Sequence, residues 1–189
     1  MRIWHCVTHL GDSLMYFQSS ARWLTMPAYR GVDSLGSCAS YCSIISSGVG
    51  YPITAYIEYD CAVYSAIPGH YYVDEDIRED YEGSFSILTD GSFTGSGFTF
   101  NLPNDVYSNG SPQLLYSDLV ARFSYYGHVS FANQEIYFNS KANYSHSYIY
   151  IGAAPSINFT DDDHTIGLDF SIVGSKEDRN TFLEFHYVP

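Results

Sequence analysis

The sequence predicts a mainly β protein: an antiparallel, jelly-roll-like β-sandwich with one short helix near residues 112–123 and an irregular or partly helical N-terminal segment. Two observations carry this expectation. From Pro52 onward, apolar and polar residues alternate with a period of two, as on strands with one buried face. Turn dipeptides then divide the chain into short pieces at sandwich spacing, without the long helices that alternate with strands in a parallel sheet.

In chain order, Met1 to Leu10 reads MRIWHCVTHL, and His5 and His9 interrupt its apolar run. It therefore lacks the continuous apolar core of a signal peptide. Asp12 is placed to cap a short helix in which Leu14, Phe17, Ala21 and Leu24 share one face, ended by Pro27. From Asp33, a second helical stripe of Leu35, Cys38, Cys42 and Ile45 competes with an irregular packed loop. Ser34, Ser37, Ser40, Ser43 and Ser46 recur every third residue, a period that drifts around a helix. The longest uncharged stretch, Ser34 to Ile57, is broken by serines, Gly48, Gly50 and Pro52, so insertion into a membrane is not expected.

The strand series opens with Ile53, Ala55, Ile57, Tyr59, Cys61 and Val63 on one face. The acidic run from Asp74 to Glu82 reads as a solvated loop. Further short strands follow over Ser84–Asp90, Gly97–Leu102, His128–Ala132, Glu135–Asn139, Ser147–Ile151, Ser156–Phe159, Thr165–Val173 and Thr181–Val188. Asp90-Gly91, Asn109-Gly110, Ala154-Pro155 and Gly174-Ser175 supply turn chemistry. Within the series, Ser111 as cap, Pro112 as first residue and a Leu115, Leu119, Phe123 stripe give the expected helix.

Composition divides the chain. All four cysteines, all three methionines and both tryptophans lie within residues 1–61, whereas 17 of the 21 acidic residues follow. The expected organisation is an N-terminal packing or assembly segment, 1–50, and a β-sandwich domain, 51–189. Charged residues are only 15%, against about 25% in ordinary globular proteins. The net charge is −13 and the only lysines are Lys141 and Lys176. Phosphate backbones are bound by displacing counterions with Lys and Arg, so a nucleic-acid partner is excluded.

No Gly-x-Ser-x-Gly elbow, His-Glu-x-x-His, P-loop or Gly-x-Gly-x-x-Gly occurs, so an enzyme is not expected. His5 with His9 and Cys38 with Cys42 are spaced i, i+4. On helices they could form a Cys2His2 zinc site, while buried free thiols or disulfides use the same cysteines. Asp161, Asp162 and Asp163 are candidates for calcium in a sandwich loop, although EF-hand register fails there, with Ile166 at the glycine position. No cofactor is the base expectation, with calcium ranked before zinc.

Tyrosine is abundant, at 19 residues. The doublets Tyr71-Tyr72 and Tyr125-Tyr126 are candidate contact surfaces, because Tyr combines a large rigid ring with a polar tip. The leading expectation is a non-enzymatic structural or assembly protein: a virion component (phage capsid, collar or tail) or a surface-layer protein. Its partners would be copies of itself or other particle proteins, and its location a virion or extracellular surface. A carbohydrate- or receptor-binding module, with calcium assisting, is the alternative. An acidic inhibitor that mimics nucleic acid is a third reading.

Overall fold

The computed structural model describes residues 1–28, 30–45, 50–64, 70–81, 86–90, 93–130, 134–147, 156–162, 165–171 and 176–189. Among these residues every helix or strand is a strand. In chain order they are β1 (Arg2–Gly11), β2 (Leu14–Arg22), β3 (Val32–Ser40), β4 (Cys42–Ile44), β5 (Thr54–Tyr64), β6 (Tyr71–Asp80) and β7 (Ser86–Asp90). There follow β8 (Phe93–Asn101), β9 (Val106–Ser108), β10 (Ser111–Val129), β11 (Ile136–Ser147), β12 (Ser156–Asp162), β13 (Thr165–Ser171) and β14 (Lys176–Tyr187). They form two antiparallel sheets and a separate hairpin. The first sheet runs β1-β2-β10-β5-β6, with β4 and β9 also paired to β10; the second runs β14-β11-β3-β8-β7; β12 pairs with β13.

The expected helix over 112–123 is instead part of β10. Leu115, Leu119 and Phe123 are four residues apart, a spacing that fits two strand periods as well as one helical turn. Leu119, Ala121, Phe123 and Tyr125 are all buried, which only the period of two explains. A register irregularity between Ser117 and Val120 coincides with Asp118 at φ +54°, a conformation no α-helix holds. At the start of β10, Asn109 and Gly110 take φ +52° and +78°, making the expected turn, a tight hairpin with β9.

The N-terminal segment is also stranded, not irregular or helical. Gly11 at φ +114° and Asp12 at φ +48° turn β1 back onto β2, so Asp12 is a turn residue and caps nothing. Met15, Phe17, Ser19 and Ala21 are fully buried on alternate positions of β2. β3 replaces the second helical stripe. It is buried from Asp33 to Ser40 on both faces, which erases the alternation that would have marked it as a strand. β13 packs against β3 and β11. The core fills the other side of those two strands, so the β12–β13 hairpin lies over the face turned away from it.

One hydrophobic cluster joins the two sheets in a sandwich-like arrangement. Phe17, Ile57, Phe123 and Tyr125 come from the first sheet and Leu35, Phe98, Phe100, Phe138 and Tyr144 from the second. The cluster draws on both sides of the boundary expected at residue 50. Phe98 stacks on Phe100 and on Phe123 at 5.1 and 5.9 Å between centroids. Burying each such ring contributes about 1.5–3 kcal/mol. The β5 alternation is as expected from Ala55 to Cys61, all four inward residues being buried. The acidic run is a strand rather than a loop: most of it forms β6, the edge of the first sheet. Gly91, Ala154-Pro155, Gly174-Ser175 and most of Ser147–Ile151 lie outside the described residues.

Candidate functional site

The two edges of the first sheet are built from opposite materials. β6 carries Asp74, Glu75, Asp76, Glu79 and Asp80 in ten residues, relieved only by Arg78. Charges on an edge strand deter pairing with another chain. β1 is equally long and carries one charge, Arg2. Among the described residues no strand pairs with its outer side, so its outward N–H and C=O groups have no sheet partner among them.

β1 is nevertheless firmly seated. Ile3 and Val7 pack against the core cluster. His5 lies between Ser19 Oγ at 2.9 Å and Ser140 Oγ at 2.7 Å, tying β1 to its neighbour and to the second sheet. Burial, opposed by a smaller effect of a backbone hydrogen bond at Gln18, brings the His5 pKa down to about 4, so the ring is neutral at pH 7. At the hairpin turn the Tyr187 hydroxyl donates to the Asp12 carbonyl at 2.7 Å, and the His9 ring meets the Tyr187 ring edge-on at 5.4 Å.

The other face of β1 looks outward with Trp4 (47% exposed), Cys6 and Thr8. It continues into the outer face of the sheet. Cross-strand register aligns Trp4, Ser20, Arg122, Tyr56 and Asp80 in one row, which spans roughly 19 Å at about 4.8 Å per strand. Cys6, Gln18, Ser124 and Thr54 form the next row. Charges on this face are locally compensated: Arg122 Nε donates to Glu58 at 3.1 Å, Arg22 Nε donates to Asp118 at 2.8 Å, and Arg78 sits 3.7 Å over the Tyr56 ring. The result is a broad aromatic and polar surface ending in an open strand, which suits β-strand addition.

The structure gives each sequence candidate its own setting. His5 is held by serines, and His9 Nε2 lies 2.8 Å from the Asp12 carbonyl. None of the four cysteines is in a disulfide, and Cys38 and Cys42 are buried. Burial raises both thiols to about 12, against weaker opposing effects. Among the described residues no three His, Cys, Asp or Glu side chains are grouped to hold a metal. Asp161 and Asp162 end β12, while Asp163 lies outside the described residues.

The tyrosine doublets behave differently. Tyr71 and Tyr72, at the start of β6, are 58% and 74% exposed. Tyr125 is a core residue stacked on Phe17 at 4.8 Å and is no contact surface, while Tyr126 faces outward against Tyr16 at 4.8 Å and Tyr51 at 5.2 Å. Sequence reasoning missed Trp4, Cys6 and Thr8. Their alternation with Ile3, His5 and Val7 was a readable strand signal. No family model matches this chain, and no curated protein matches it.

Proposed function

We propose that this chain is a non-enzymatic structural or assembly protein, a jelly-roll-like β-sandwich that joins copies of itself or other particle proteins in a virion or surface layer. The supporting observation is the contrast between the acid-guarded β6 edge and the nearly uncharged β1 edge. A chain of net charge −13 repels its own copies, and β1, with Arg2 as its single charge, adds no acid to that repulsion. Strand addition at β1 would extend the first sheet into a neighbour and bring Trp4 against it. Antiparallel pairing of two β1 strands about Cys6 would set the two exposed thiols opposite one another.

The test is native mass by light scattering across a range of concentrations, for the full chain and for a Trp4→Lys, Thr8→Lys double variant. The expected result is a closed oligomer or reversible polymer for the native sequence and a 21.3 kDa monomer for the variant. Mild oxidation should trap a Cys6-linked dimer if the strands pair about that residue. A native sequence that stays monomeric at every concentration defeats the assembly reading.

A further inference from the structure

The geometry points to a binding site for a neutral sugar at one end of the sandwich, in a cavity between the segment after β2 and the segment leading into β9. The cavity measures about 370 Å³ and has Arg30, Asn104, Asp105 and Tyr107 among its lining residues. Small-ligand pockets run from about 300 to 1,000 Å³, so this one suits a single ring rather than an extended cofactor. A second cavity of about 220 Å³ shares Arg30 and Asn104 with it, which gives room for a second, adjoining unit.

The chemistry of the walls selects the ligand class. Arg30 is nearly buried, its side chain 7% exposed. It is held by both Asp105 oxygens, at 2.8 Å from Nη1 and 2.6 Å from Nη2, and by the Pro103 carbonyl at 2.5 Å. Asp105 also accepts from the Tyr116 backbone N–H at 2.9 Å. The pair is fixed before any ligand arrives, and its charges cancel. Among the described residues of the lining, a phosphate or carboxylate finds no uncommitted cation, and a metal ion meets a guanidinium beside the one carboxylate.

What remains open to a ligand is the exposed Asn104 amide, beside the few N–H groups and the lone pair that the Arg30–Asp105 pair leaves unused. Adjacent sugar hydroxyls each donate and accept, which matches side chains that present two polar atoms side by side. Tyr107, 59% exposed at the rim, supplies a ring against which the C–H face of a pyranose can lie. Met26, Pro27 and Ala28 add apolar groups to the lining. This inference is independent of the assembly reading, because neither Trp4 nor the β1 edge contributes to the cavity.

The experiment screens the full chain on an array of neutral, sialylated and sulfated glycans, then titrates the strongest neutral glycan by calorimetry. Tyr107→Ala and Asn104→Ala are compared with the native sequence, both positions being exposed, and melting temperatures confirm that each variant folds. A neutral di- or oligosaccharide should bind, raise the melting temperature in excess, and lose about tenfold in affinity with Tyr107→Ala, equivalent to about 1.4 kcal/mol. No neutral glycan bound, a preference for anionic glycans, or binding undiminished in both variants overturns the assignment.

Discussion

Replacing His5 with Gln tests whether the N-terminal hairpin is seated on the second sheet. In the native chain the imidazole lies within hydrogen-bond distance of Ser19 on β2 and Ser140 on β11. Burial lowers its pKa from 6.5 to about 4. As pH falls, the unfolded chain protonates near 6.5 and the folded chain only near 4. The unfolded state therefore binds more protons in that window, and stability is lost as pH falls across it. At 1.36 kcal/mol per pH unit, the loss totals about 3 kcal/mol. Gln keeps a polar group at the site and cannot titrate. Urea unfolding of both proteins, followed by tryptophan fluorescence from pH 7 to pH 4, isolates this contribution. The stability difference, native minus variant, should fall by about 3 kcal/mol over the range. Parallel pH profiles would mean that the ring is solvated and that β1 does not dock against β11, which would remove the basis for treating β1 as an ordered edge.

Asp33, hydrogen-bonded to His146 Nδ1 at 2.7 Å, provides the opposite sign: burial outweighs that bond and raises its pKa from 3.8 to about 6. The folded state then binds more protons between those values, so native stability relative to Asp33→Asn should rise on acidification through that window; a flat difference in the same urea series refutes it. Thiol labelling should find one fast-reacting cysteine in the native protein, Cys6, and all four only in denaturant, because Cys38, Cys42 and Cys61 are buried. Rapid native labelling of a second thiol would contradict that packing. Gly31→Ala would put a Cβ 2.5 Å from the Ser147 carbonyl oxygen, a backbone atom with little freedom to move. A loss of about 1–3 kcal/mol is expected, read as a lower urea midpoint; an unchanged midpoint would show that the two segments do not approach so closely.

The mainly β character was legible because β5 alternates cleanly and faces the core on one side only. β10 was not, since Leu115, Leu119 and Phe123 satisfy both periods and Ser111-Pro112 mimics a helix start; the deciding residues, Ala121 and Tyr125, belong to the period of two alone. β3 was unreadable for a different reason. Ser34 and Ser40 face away from the core and Ser37 faces it, yet all are buried, because a third layer covers the outer side. Small residues on both faces are what close packing of three layers requires, and they carry no binary pattern. The Tyr125-Tyr126 doublet could not be one exposed surface, because neighbouring strand residues point to opposite faces. Tyr71 and Tyr72 escape that rule by lying at the end of an edge strand. The candidate edge was hidden by His5 and His9, which break the apolar run of β1 although His5 faces inward.

The composition shift near residue 61 has a structural meaning other than a division between two packing units. The early strands carry few charges: β2 and β3 lie inside their sheets, and the β1 edge carries only Arg2. This makes salt a discriminating variable. If copies join through β1, the contact itself holds few charges, while the remaining surface, with 17 acids after residue 61, repels. The Debye length falls from about 10 Å at 0.1 M to about 3 Å at 1 M salt, which screens that repulsion and leaves backbone pairing intact. Association measured by light scattering should therefore strengthen as salt rises. An interface built instead on the Arg22–Asp118 or Arg122–Glu58 groups of the outer face, exchanged between copies, would weaken over the same range. The sign of the salt dependence thus distinguishes the strand edge from the sheet face as the place where neighbours meet.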